Sequence, residues 1–249
     1  MTTVKNIYDY INSIAPFDTQ EEWDNAGFLV GEFRKEVKRA VICLDAVKDI
    51  CNYSAEVNAD LIISHHPIIF KGVRRLEKGS ALYTCARNNI AVISAHTNFD
   101  KSKYGINNNL CTVLGLKDAE PIENSFIYKG SLDCEMSIDD FAEFVSERLC
   151  VSGIRYTLCD KPVKTVAVGG GACEEYISLA MENADCFLTG DLKYHDMLEA
   201  AEVGYPVISA GHFETEAEPF YMLREMLKKM FPDVEFIVPK QENPVLTVV

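Results

Sequence analysis

Two spacings of apolar residues alternate along the chain. Val4, Ile7, Tyr8, Ile11 and Ile14 recur at helical spacing, with Thr3 as a plausible N-cap and Pro16 as a stop. Val41-Ile42-Cys43-Leu44 then reads as a strand and 46–58 as a helix. Leu61-Ile62-Ile63 is a short apolar run with two isoleucines, the mark of a buried strand in a parallel sheet. It ends at Ser64-His65-His66-Pro67. Proline cannot donate to a sheet ladder, so both histidines are expected at the strand's carboxyl edge, where open α/β sheets collect ligands. Helix 80–89, strand 90–94 and helix 107–114, closed by Gly115, continue the alternation. This order predicts βαβ units and a mostly parallel sheet.

The middle of the chain changes character. Strand 126–132, helix 138–150 with Ser137 as N-cap, and strand 154–159 follow one another. The first pattern then returns: strand 166–168 with a Gly169-Gly170-Gly171 turn, helix 174–183, and strands 185–189 and 206–210. Helix 219–230, strand 234–238 and an edge strand 245–249 complete the expectation. Val41 recurs as Val166 and Ala59-Asp60 as Ala184-Asp185, both 125 residues on. Val92-Ile93-Ser94-Ala95 recurs as Val207-Ile208-Ser209-Ala210, 115 residues on. The fold class expected is α/β, with two facing, duplicated lobes of mostly parallel or mixed sheets and a site between them. The first lobe would hold 1–125 with 210–249, the second 126–209.

Composition narrows the function classes. With 249 residues, 48% of them hydrophobic and 25% charged, the chain can bury a substantial core. A formal charge of -14 argues against non-specific binding to nucleic acid or to acidic membranes. No stretch approaches 18 consecutive apolar residues, so no membrane span is expected, and the first residues lack a signal-peptide layout. A cytoplasmic location is the resulting expectation. The nine cysteines are scattered without a C-x-x-C pair, which reads as reduced thiols, many of them buried, rather than a zinc ribbon or disulfide scaffold.

The chemistry concentrates in four segments that each follow a predicted strand. They are His65-His66, His96 with Asp100, Asp191 with His195, and His212 with Glu216, and together they hold all five histidines. A single histidine at a strand end is ordinarily a hydrogen-bonded structural residue. Two adjacent ones serve a common site only where the strand is ending, because strand side chains alternate between faces. His212 and Glu216, four residues apart, share a face if a helix begins there. Imidazoles mixed with carboxylates suit zinc, iron, manganese, nickel or cobalt better than calcium or magnesium. The set exceeds the needs of one four-coordinate ion and fits two divalent ions bridged by a carboxylate and a water or hydroxide.

Five motifs occur in order: Trp23-Asp24-Asn25-Ala26-Gly27, Ile62-Ile63-Ser64-His65-His66-Pro67, Ser94-Ala95-His96-Thr97-Asn98-Phe99-Asp100, Thr189-Gly190-Asp191 with His195, and Gly211-His212-Phe213-Glu214-Thr215-Glu216. In these the chain resembles the Nif-three-like family, also called GTP cyclohydrolase I type 2 homologues, over nearly its full length. The resemblance implies two α/β lobes around a dinuclear metal site and a hexameric ring assembled from dimers. It implies metal ligands His65, His66, Asp100, His212 and Glu216, with Glu216 as the bridge. His96 and His195 match positions beside the metals. They are expected to orient ligands or carry protons in catalysis, with Asp191 as their partner.

The activity expected is metal-dependent hydrolysis by a bridging hydroxide, of cyclohydrolase or phosphoester type, on a small anionic or nucleotide substrate. The family label points to opening of the guanine ring of GTP, although the chain has no Walker-type phosphate loop. A second reading, from another class, is a non-catalytic regulatory or metal-delivery protein acting through protein partners. An iron-linked redox site is a third.

Overall fold

In the computed structural model, which describes residues 1–151, 153–241 and 243, most of the apolar runs form strands. In chain order they are β1 (Gly27–Val30), β2 (Arg39–Asp45), β3 (Leu61–His66), β4 (Ala91–Ser94), β5 (Lys117–Pro121), β6 (Tyr128–Met136), β7 (Arg155–Tyr156), β8 (Val163–Ala172), β9 (Cys186–Asp191), β10 (Val207–Ser209) and β11 (Glu235–Ile237). As expected, β3 stops at His66, immediately before Pro67. The expected edge strand 245–249 lies outside the described residues. The two sheets are both mixed, one with strand order β1-β4-β3-β2-β11 and the other β5-β6-β8-β9-β10-β7.

The chain divides into two compact units. One holds Met1–Tyr104 and resumes at Phe220, and the other holds Gly105–Pro219 and takes up Asn243. These changeovers fall at 104–105 and 219–220, not at the 125–126 and 209–210 expected from sequence. The helix Ile106–Val113 accounts for the earlier switch: its Leu110 and Cys111 pack with Val166, Val168 and Leu188 of the second sheet. Among the described residues no helix is long and apolar enough to cross a membrane.

In each unit the central parallel strands are buried on both faces, as their unbroken apolar sequence requires. Val41, Cys43, Ile62 and Val92 pack with Ile50, Cys51 and Cys85 of the helices Lys48–Glu56 and Ala81–Arg87. In the second unit, Val166, Val168 and Leu188 face one cluster while Ala167, Phe187 and Val207 face another. All nine cysteines are free thiols, and Cys43, Cys51, Cys85, Cys111, Cys173 and Cys186 are buried.

The duplication suggested by sequence recurs in the pairing registers. Ile62 opposite Val92 reappears as Phe187 opposite Val207, and Ser64 opposite Ser94 as Thr189 opposite Ser209. The antiparallel edge pair Phe28–Ile93 reappears as Tyr156–Ile208. Asp60 and Asp185 play one role: Oδ2 of each accepts from two successive backbone amides at the entry of the neighbouring strand. The offsets of 125 and 115 therefore hold for β3 with β9 and for β4 with β10. For β2 with β8 the sequence match slips by one, since Ala40 opposite Leu61 corresponds to Val166 opposite Cys186.

One helix begins earlier than its sequence suggested. The spacing predicted a start at Pro219, but the helix runs His212–Tyr221 with Pro219 inside it, and a second helix follows at Leu223–Met230. Proline is favoured in the first turn of a helix, but Pro219 sits in the last turn of this one. The earlier start is what sets His212 and Glu216 on one helical face.

Candidate metal centre

In the first unit, β3 delivers His65 and His66 at its last two positions, and its neighbours supply what holds them. Asp45 ends β2 directly opposite His66 in the parallel ladder. Its Oδ1 lies 2.8 Å from His66 Nδ1. His65 is fully buried, and its Nδ1 lies 2.8 Å from the carbonyl oxygen of Ala95, just past β4. A carbonyl can only accept, so the His65 ring carries a proton on Nδ1 and, when neutral, its lone pair on Nε2. His96 follows the same arrangement, with Nδ1 2.8 Å from Asp24 Oδ1. One ring nitrogen from each of His65, His66 and His96 falls within 4.8 Å of the other two, so the three could hold a metal ion. Asp100, buried at the end of the short helix Thr97–Asp100, places Oδ1 3.7 Å from His65 Nε2.

Asp24 is itself tightly held. Oδ1 also accepts from the Asn25 amide, and Oδ2 from the Thr97 amide at 3.1 Å and the Thr97 hydroxyl at 2.5 Å. Burial pushes the Asp24 carboxyl up. Hydrogen bonds from His96, Thr97 and Asn25, together with the attraction of His96, outweigh that and bring it down to about 2. A carboxyl lowered in the folded state stabilises the fold above its ordinary value near 4, and that contribution is lost as pH falls from about 4 through about 2. Asp24→Asn should therefore abolish about 2 kcal/mol of acid-dependent stability in this window. Urea midpoints of the chelated protein at pH 5 and at lower pH measure it. Identical acid profiles for the two proteins would count against the account.

In the second unit, His212 opens its helix directly after Gly211 and sits one turn before Glu216, with Nε2 3.2 Å from Glu216 Oε2. His212 Nδ1 lies 2.7 Å from Oδ2 of Asp191, the last residue of β9. The Glu216 side chain is buried. Space for it comes from Gly171, which has a φ of +69°, where a Cβ would stand 2.2 Å from Glu216 Oε1. Thr215 locks the same turn, its hydroxyl accepting from the Gly171 amide at 3.1 Å. The Gly169-Gly170-Gly171 run, read from sequence as a strand-to-helix turn, is the backbone of β8 shaped around a carboxylate.

Two expectations about partners need correction. Asp191 was assigned to His96 and His195, but it holds His212, and the partner of His96 is Asp24. His195 is exposed on the first turn of the helix Tyr194–Glu202, with its ring edge-on to Tyr194. Asp45, Asp24 and Gly171, which contact His66, His96 or Glu216, are residues that sequence reasoning left out. Asp45 carried a readable signal, an acidic residue ending an apolar strand run next to the double-histidine strand. Gly171 carried none beyond its neighbours.

Four imidazoles thus have Nδ1 against an oxygen acceptor: Ala95 O, Asp45, Asp24 and Asp191. Metal-binding histidines are held in this way, because the outer hydrogen bond fixes the tautomer and aims the other nitrogen. A donor set of nitrogen and carboxylate oxygen fits a transition-metal ion. The His/Glu cluster accordingly suggests metal binding.

Residues 2–244 match the Duf34/NIF3 (NGG1p interacting factor 3) family. A Campylobacter jejuni protein named GTP cyclohydrolase 1 type 2 homolog is 32% identical over 248 residues, covering 97% of this chain and 98% of its own length. A Helicobacter pylori protein named GTP cyclohydrolase 1 type 2 is 32% identical over 232 residues, covering 91% and 92%. The crystal structure of a Bacillus cereus protein related to NIF3 superposes with a TM-score of 0.91 over 100% of this chain and 99% of its own, at 22% identity. The chain belongs to the NIF3/DUF34 family, as a homologue of the GTP cyclohydrolase 1 type 2 proteins.

Proposed function

We propose that the chain is a metal-dependent hydrolase with a dinuclear metal centre. His65, His66, Asp100, His212 and Glu216 are the residues that would hold the ions. The observation that carries this reading is the Nδ1 anchoring of four imidazoles, which suits Nε2 of His65, His66 and His212 to a metal and Nε2 of His96 to a proton. Two divalent ions from among zinc, iron, manganese, nickel and cobalt suit these donors. When bound, they would polarise an electrophile and lower the pKa of water toward neutrality.

The protein's own groups do the rest. Asp45 and Asp191 fix the rings of His66 and His212. His96, anchored on buried Asp24, takes a proton at Nε2 and is better placed for this than exposed His195. The substrate is a small anionic molecule attacked at carbon or phosphorus. The names of the relatives point to the guanine ring of GTP.

The test is elemental analysis of the purified protein, followed by turnover of GTP and of aryl phosphates by protein stripped and reloaded with each metal. Full metal occupancy with no turnover on either class would replace the hydrolase by a metal-binding or delivery role. Chelation should also lower the melting temperature, because a metal that binds the folded chain and not the unfolded one links folding to occupancy. At a thousandfold excess over Kd the linked stabilisation is about 4 kcal/mol, or roughly 10 °C for a chain of this size. An unchanged melting curve after verified metal removal would contradict it.

A further inference from the structure

Residues 67–80, between the double histidine and the helix Ala81–Arg87, form neither helix nor strand. Loops of this length inside a compact unit are uncommon and are usually either functional or disordered. This one also reverses the charge of the protein: Lys71, Arg74, Arg75 and Lys78 stand against Glu77, in a chain whose net charge is -14. It displays Phe70, Val73 and Leu76 at 45–50% exposure, so these apolar groups serve no core. The loop is tied down where it leaves His66. Asn25 donates to the Ile69 carbonyl at 2.5 Å, and Phe70 lies 5.9 Å from Trp23, ring to ring. Both aromatic rings in turn stand edge-on to His96, at 5.9 and 6.1 Å.

Beneath the loop is a cavity of about 510 Å³. His66 and Asp45 line it, Val73 and Leu76 give it apolar walls, and Arg75 and Glu77 are its further charges. The volume suits a small organic ligand, and largely apolar walls with a few polar groups are typical of such sites. Asp45 is engaged with His66, and Glu77 with Arg75 at 3.3 Å. Lys71, Arg74 and Lys78 add positive charge to the loop above, so its overall field favours an anion.

We propose that loop 67–80 is the substrate-recognition element of the centre and takes an aryl phosphate, the ring in the cavity and the phosphate at Arg75. The inference rests on the reading of His66 as a metal ligand only in linking this pocket to the reaction. Guanidinium matches phosphate in shape as well as charge, which neither an apolar ligand nor a cation would exploit.

Trp23 is the only tryptophan, and its ring neighbours Phe70, so its emission reports on the loop. The metal-loaded full chain would be titrated with phenyl phosphate, methyl phosphate and benzyl alcohol. Emission and equilibrium dialysis would be read together, with metal content measured on the same samples. Phenyl phosphate should bind saturably, at least tenfold more tightly than either compound that carries only one of its two features. Arg75→Ala should weaken phenyl phosphate at least tenfold with its metal content unchanged, while benzyl alcohol binding stays as it was. Equal affinity of Arg75→Ala and wild type for phenyl phosphate, or equal affinity for phenyl and methyl phosphate, would overturn the proposal. Saturable, Arg75-dependent binding by protein shown to hold no metal would uphold the pocket while removing the metal-centre reading. Failure to bind in fully metallated protein would remove the pocket alone.

Discussion

Glu216→Gln is expected to strip the protein of metal and to abolish turnover while leaving it folded. The side chain is 5% exposed and touches His212 Nε2, so it offers a cation a charged oxygen in a place that water scarcely reaches. The amide keeps the shape, removes the charge and can turn an N–H donor toward the ions. Metal-ion catalysis supplies several kcal/mol of charge stabilisation, so its loss should cost at least about a thousandfold in turnover. Without metal the variant need not be weaker than wild type, since a buried carboxylate is itself costly to desolvate. Elemental analysis and circular dichroism on one sample separate loss of metal from loss of fold. A folded Glu216→Gln protein with full metal content would show that this carboxylate is no ligand.

Gly171→Ala should do nearly as much damage from a residue that ligates nothing. Two costs add. A left-handed φ of +69° costs alanine about 1 kcal/mol, and the methyl would stand 2.2 Å from Glu216 Oε1 and 3.1 Å from His212 Nε2. Because Glu216 is buried, its carboxylate has little room to give way. The expected result is about 1–3 kcal/mol of lost stability and a 10- to 100-fold loss of metal affinity. Gly204→Ala is the control: the same φ of +69°, with nothing within 4 Å of the added carbon. It pays the backbone cost alone, so the difference between the two variants in urea unfolding and metal titration measures the crowding. Equal behaviour of both would mean that Glu216 is not fixed by Gly171.

Much of this was readable beforehand because burial leaves a plain trace. The central strands are continuous apolar runs, and Pro67 ends one of them at the double histidine. The spacing of His212 and Glu216 depended only on a helix beginning there. Apart from Asp45, what escaped notice had no local signature. All five residues of β5 are exposed, so no apolar rhythm marks Lys117–Pro121. Asp24 reaches His96 across 72 positions. Asp191 was paired with His195 because the two lie four residues apart, yet a strand end followed by a turn aims the carboxylate 21 residues on, at His212. Chain proximity misled where three-dimensional pairing decides.

The repeated registers carry a last consequence. If β3 is laid over β9, His65 and His66 fall on Gly190 and Asp191; if β4 is laid over β10, His96 and Thr97 fall on Gly211 and His212. One copy of the module keeps donors on the middle strand, while the other keeps its donor one strand over and has emptied the middle position. At Gly190 an added carbon would stand 2.5 Å from the Gly171 carbonyl and 2.8 Å from the His212 backbone, so a second double histidine has no room. The two halves share a plan but divide the labour: one carries a double histidine at the strand tip, and the other has Gly190 there, which lets a helix come close, followed by Asp191.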